Sequence, residues 1–210
     1  MTVSRQQGGR RAHHDWVRSA LLGAANDLMK EGHTPSLETV AERVGVSRAT
    51  AYRHFPSQGS LLYEAVRFSM MSAAHPPDPA IRSLDPEARV AAVARWIMRD
   101  TAANEVQFRA LLGYMLEQSL RGTRGEESER LRRGARIPPL AEALAPLRAR
   151  VRPEAMRRLT AGLTVLIGIE ALIVLRDMWG MDAIEAERTV AWAARALVRA
   201  TFAKTGRKNA

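Results

Sequence analysis

The sequence predicts an all-α protein, with a small N-terminal helical domain followed by a larger one. Apolar residues recur at three- and four-residue steps along nearly the whole chain, and no stretch alternates convincingly with period two. Residues that start and stop helices stand at the ends of these periodic runs. "HPPDP", His75 to Pro79, forbids a helix and supplies a stiff link where the domain boundary is expected. A length of 210 residues fits one large domain or a small one joined to a larger. With 46% hydrophobic and 26% charged residues, the composition is that of a folding chain rather than a disordered one.

The elements follow in order. A flexible basic arm is expected over residues 1–14, then a helix from about Asp15 to Lys30, with Trp16, Ala20, Leu21, Ala24, Ala25 and Leu28 on its apolar stripe and Gly32 as its stop. Ser36 caps the next helix, and Glu38 sets negative charge in its first turn. Gly45 ends it, Ser47 caps "RATAYRHF", and Pro56 limits that helix to barely two turns. A fourth helix runs from Ser57 to about Ala74. Past the link, Asp85, Pro86 and Glu87 read as N-cap, first-position proline and dipole-matched acid of a helix to about Ala103. "EVQFRALLGYMLEQSL" is the next, "IPPLAEALAPLRARV" a proline-interrupted one, and Pro153 opens a long helix ending at Gly180. Asp182 with Glu185 is a capping-box arrangement for a last helix to about Lys204. The domains expected are residues 15–75 and 80–205.

Several function classes are excluded or disfavoured. There is no cysteine, which removes disulfides, thiolate metal sites and cysteine nucleophiles. No HExxH, Walker-type loop, GxSxG or dinucleotide fingerprint occurs, so neither an enzyme nor a cofactor is expected. His13, His14, His33, His54 and His75 are scattered, and no metal site is expected. The basic start "MTVSRQQGGRRAHHDW" has no apolar core behind it, so neither a signal peptide nor an anchor is expected and the cytoplasm is the default. Lys and Arg number 32 against 22 Asp and Glu, a formal charge of +10 that favours a polyanionic partner, nucleic acid first. The Arg-rich stretch from Arg121 to Arg136 reads as a solvated face.

"SLETVAERVGVSRATAYRHF" meets the needs of a helix-turn-helix: two short helices over a tight glycine turn. Val40, Ala41, Val44 and Val46 are expected inside, and Ala51 and Phe55, four apart, share the buried face of the second helix. Arg48, Thr50, Tyr52, Arg53 and His54 then point toward solvent, where a major groove admits one helix. Its N-terminal side chains read base edges while flanking polar groups hold phosphates.

Over about Asp15 to Val66, and above all in "TVAERVGVSRATAYRHFPSQGSLLYEAV", the chain resembles the TetR family of one-component transcriptional regulators. The resemblance implies an N-terminal three-helix DNA-binding unit and a helical C-terminal domain that dimerises and holds a small ligand. Repression relieved by that ligand is the usual outcome. By motif position, Arg48, Ala49, Thr50 and Tyr52 fall where the family reads bases, and Tyr52, Arg53 and His54 where it touches phosphates. Ser36 and Ser47 join this DNA-facing set. Gln58 stands where the family often has a phosphate-contacting lysine.

"LTAGLTVLIGIEALIVL", Leu159 to Leu175, is shorter than the ~20 apolar residues a membrane span needs and contains Glu170. It is expected to be buried on two sides, in the core and in a dimer interface. That interface is drawn from Gly162, Leu163, Leu166, Glu170 and Ile173 together with Ala193, Ala196, Leu197 and Ala200 of the last helix. A four-helix interface between two copies is also what the resemblance implies. Candidate pocket residues are Trp96, Phe108, Leu112, Tyr114, Met115 and Trp179, with Arg99, Asn104, Gln118 and Asp177 as polar fixers. The function expected is a homodimeric DNA-binding regulator, a repressor released from a palindromic operator of double-stranded DNA by a small-molecule effector. The alternative is a helical enzyme or small-molecule-binding protein that keeps the fold without operator recognition.

Overall fold

Local capping chemistry sets the helix boundaries in the N-terminal half. The structure, a computed structural model, describes residues 3–73, 79–122 and 137–206. Helix α1 spans Val3–Lys30. It starts earlier than the expected Asp15, so residues 3–14 are helical rather than a flexible arm; the good helix formers Arg, Gln and Ala there outweigh Gly8 and Gly9. The buried side is Val17, Leu21, Leu22, Ala25 and Met29. Trp16, expected on the apolar stripe, is 60% exposed, because the stripe is rotated by one position and Val17 takes its place. At the exit Gly32 adopts φ 86°, a left-handed conformation that glycine reaches without strain.

Helix α2, Leu37–Val44, begins with a capping box in which Ser36 Oγ accepts the Thr39 N–H and Thr39 Oγ1 accepts the Ser36 N–H. Gly45 closes it at φ 75°, and its N–H donates to the carbonyls of Ala41 and Glu42. Helix α3, Arg48–His54, is capped by Ser47, whose Oγ accepts the Thr50 N–H at 3.1 Å. It stops at Phe55, before Pro56. Helix α4 spans Gln58–Ala73. Residues 74–78, most of the proline link, and 123–136, most of the Arg-rich stretch, lie outside the described residues.

Helix α5, Pro86–Ala103, follows a short 3-10 turn at Pro79–Ser83 and has Asp85 as its N-cap, with Oδ1 accepting the Ala88 N–H at 3.0 Å. Helix α6 spans Glu105–Leu120. Helix α7, Ile137–Leu144, gives way at Pro146 to a 3-10 turn, Ala145–Leu147. Helix α8, Pro153–Leu166, does not continue to Gly180 as expected. Gly168 takes φ 109° and ψ −165°, a region essentially reserved for glycine. Its N–H meets Met98 Sδ at 3.4 Å. The helix resumes as α9, Ile169–Ile173, and ends in a π turn, Val174–Met178. Helix α10, Ala183–Gly206, opens on the expected capping box: Asp182 Oδ1 accepts the N–H groups of Ile184 and Glu185, and Glu185 accepts the Asp182 N–H. Among the described residues every regular element is helical.

Two compact units result. The first holds the described residues of 3–73 together with 106–122, and the second those of 79–105 with 137–206. The first thus includes α6, a segment that the expected domain of residues 80–205 had claimed. Its core gathers Leu21, Ala25 and Met29 of α1, Leu37, Val40 and Ala41 of α2, Ala51 and Phe55, Leu61, Leu62 and Ala65 of α4, and Leu111 of α6. Val44 and Val46 pack against it from the helix-turn-helix corner.

In the second unit α5 lies along α10, and α8 also packs on α10. Ala186, Val190, Ala194 and Val198 recur every fourth residue on the buried side of α10, small enough for a close approach. No single described helix is long and apolar enough to cross a membrane. The segments Pro153–Leu166 and Ile169–Met178 reach that length only as a pair bent by 49°. Leu159, Leu163, Ile167, Ile169 and Leu172 of this pair are buried within the unit.

Candidate nucleic-acid interface

The two short helices are fixed from beneath. Ala51 and Phe55, both fully buried, bind α3 to the core, and the Arg18 guanidinium of α1 lies 4.6 Å from the Phe55 ring centre. Arg18 also donates to the His54 carbonyl at 3.0 Å and pairs with Glu64 of α4. One side chain of α1 therefore ties the end of α3 to α4. Asn26 Nδ2 adds a buried bond to the Ala65 carbonyl at 2.9 Å.

Above that scaffold α3 turns Arg48, Ala49, Tyr52 and Arg53 outward. Arg48 is 69% exposed, and Tyr52 is among the large apolar side chains left uncovered. Thr50 is half-buried, and its Oγ1 lies 2.9 Å from Ser47 Oγ, so both hydroxyls belong to the helix cap. Ser36 is likewise occupied by its capping box.

Two residues stand differently from the sequence reading. His54 does not point to solvent: it is buried, its ring centre lies 4.3 Å from that of His14, and its Nδ1 has no partner. Three residues past Ala51, it shares the inner side of a seven-residue helix. Burial holds its imidazole below the usual pKa, with His14, Arg18 and Arg53 adding to the effect. Gln58 turns inward, its Nε2 donating to the Pro35 carbonyl at 2.9 Å, which joins the start of α4 to the residue before the α2 cap.

A third contact carries no signal in the sequence. Glu38 Oε1 accepts the Tyr52 hydroxyl at 3.1 Å and lies 3.3 Å from Arg48 Nη2. Hydrogen bonds from its own backbone amide, then from Tyr52, hold the Glu38 carboxyl below the usual carboxylate range, and the same pairing raises Tyr52. A carboxylate ten residues from Arg48 could be found only by knowing how α2 crosses α3.

The pocket candidates are placed separately. Phe108, Tyr114 and Met115 pack against the core of the first unit, to which Leu112 and Gln118 also belong. In the second unit Trp96 is half-buried and Asn104 caps the end of α5, with its Nδ2 donating to the Asp100 carbonyl at 3.0 Å. Asp177 and Trp179 are exposed there. Arg99 pairs with Glu187 at 2.9 Å on the wall of a cleft of about 470 Å³ that is also lined by Arg95, Ile184 and Arg188. The sequence drew attention to Arg99 alone of these five. Among the described residues no group of three or more His, Cys, Asp or Glu side chains could hold a metal ion.

No curated protein matches the chain. Residues 21–65, from the middle of α1 to α4, match the family described as "Bacterial regulatory proteins, tetR family". That segment contains the capped α2, the Gly45 turn and the exposed face of α3. By this geometry and this match, residues 21–65 form a helix-turn-helix segment similar to the DNA-binding segment of TetR-family transcriptional regulators.

Proposed function

We propose that this protein is a homodimeric repressor that leaves a palindromic operator when a small molecule binds its second unit. The observation that carries the reading is the outer face of α3, where Arg48, Ala49, Tyr52 and Arg53 are exposed above buried Ala51 and Phe55. An Arg at the first turn of such a helix suits a bidentate grip on guanine, and Tyr52 and Arg53 suit phosphate. The place of action is the cytoplasm, with the chromosome. Catalysis has no part in the reading, since the family acts by binding DNA.

The dimer is proposed through α8 and α10. Of the residues expected at the interface, Glu170, Ala196 and Ala200 are exposed, while Leu166, Ile173, Ala193 and Leu197 are half-buried. Gly162 faces Leu197 of α10 within the subunit, and Leu163 is fully buried within the subunit, so neither is offered to a second copy. Val165 and Trp192, 75% and 73% exposed, supply the large apolar surface on the outer sides of these helices.

Repression is tested with a reporter gene placed behind a duplex that the protein enriches from random DNA. Wild-type protein lowers expression and Arg48→Ala restores it. A rise in expression with the wild-type protein makes it an activator and ends the repressor reading.

A further inference from the structure

We propose that Glu38 of α2 is a specificity-determining residue of the reading face, holding Arg48 and Tyr52 on one carboxylate oxygen until DNA offers acceptors to both. This rests on the DNA-binding reading of α3. Both contacts end on Oε1, 3.1 Å from the tyrosine hydroxyl and 3.3 Å from the arginine nitrogen. A tyrosine has a single O–H to donate, so a phosphate gains Tyr52 only by breaking its bond to Glu38. Arg48 keeps further N–H groups free, but its charge is offset by the carboxylate beside it.

Glu38 is itself fixed. It lies in the first turn of α2, where a negative charge suits the helix dipole, and it is held ionised by its own backbone amide and by Tyr52. Its side chain is 30% exposed, so a docked phosphate feels the charge. In a helix-turn-helix the first helix crosses the DNA backbone, which brings phosphates toward this region. A random duplex offers phosphate repulsion and no base-edge acceptor in register, so it displaces Glu38 poorly. A cognate site offers Arg48 a bidentate acceptor and Tyr52 a phosphate together. Glu38 thus weakens random binding more than cognate binding.

The test uses the full-length protein, one enriched duplex, and a random duplex of equal length, titrated over a range of salt. Glu38→Gln is expected to raise random-duplex affinity ~2- to 5-fold, as expected for freeing an exposed ion pair, while cognate affinity rises less, so the specificity ratio falls. The salt slope for random DNA steepens by about 1, because Arg48 becomes available to a phosphate. Glu42→Gln removes the same charge from an exposed position of α2 without touching either side chain, and is expected to leave the ratio unchanged. A second readout needs no DNA: of the three tyrosines, one ionises at lower pH in Glu38→Gln than in wild type, followed by absorbance near 295 nm. If Glu38→Gln and Glu42→Gln change the ratio alike, or if the tyrosine titration does not move, the assignment is overturned. If the wild-type protein prefers no duplex sequence, the reading of α3 fails and the proposal with it, even where the tyrosine titration still moves.

Discussion

His54 packs against His14 with Nδ1 unpaired, and burial, helped by the charges of His14, Arg18 and Arg53, lowers its imidazole pKa in the fold. The unfolded chain has no such constraint, so below a pH of about 6.5 it binds a proton that the native state resists. The stabilising difference is present above that pH and is lost as pH falls through the lowered native value. The melting temperature should therefore fall between pH 7.5 and pH 5.5 by more in the wild-type protein than in His54→Gln. Equal falls would show that His54 is not the group titrating. On the reading face, Arg48→Ala or Tyr52→Ala should each weaken operator binding by ~1 to 3 kcal/mol in an anisotropy titration, the scale of one good base or phosphate contact. What the sequence revealed at this scale depended on residue spacing. Ala51 and Phe55 were legible as a buried pair four apart, while His54 was misplaced because a polar side chain on a helix side tells nothing of whether a neighbour such as His14 covers it. The Arg18–Glu64 and Glu38–Arg48 pairs join different helices, and no local pattern encodes such a crossing.

Helix ends were the most legible elements, since a cap is a contact between residues two or three apart. Ser36, Ser47, Asp85 and Asp182 all cap where their spacing predicts. Two glycines separate the uses of that residue. Gly45 sits at φ 75° with open space where a Cβ would go, so Gly45→Ala should cost about 1 to 2 kcal/mol from backbone strain alone. Gly23 lies inside α1, also with nothing near its missing Cβ, and Gly23→Ala should stabilise by about 0.4 to 1 kcal/mol. Denaturant melts of the two variants should move in opposite directions, and a loss of stability in Gly23→Ala would point to a packing role for that face of α1. The break at Gly168 was not legible. One glycine inside an apolar run costs a helix only about 1 kcal/mol, so sequence gives no reason to prefer a bend over a straight helix.

At the scale of the whole molecule, periodicity told that α6 is partly apolar but not which core receives Leu111, Phe108 and Met115. The same ambiguity split the interface residues, because an apolar position on α8 can face its own subunit or a second copy. Leu163 faces its own subunit, so charging it should unfold the protein rather than part a dimer. Trp192→Glu places a charge on the exposed side of α10 and should yield folded monomers by light scattering; retention of the dimer mass would put the interface elsewhere. On the proposed function, a small molecule that weakens operator binding by ~1 to 3 kcal/mol should bind more weakly by the same amount when operator is saturating, and equal small-molecule affinity with and without operator in one titration buffer would contradict the proposed release.

The central claim is that the outer face of α3 reads a DNA sequence twice, once from each subunit. Selection of bound molecules from a random duplex pool by the purified protein tests it most directly. The expected product is a palindrome whose half-sites lie ~34 to 36 Å apart or a near multiple, as two-fold symmetry on successive major grooves requires, and which Arg48→Ala no longer enriches. Recovery of no common sequence, or of the same palindrome with Arg48→Ala at undiminished affinity, would contradict it.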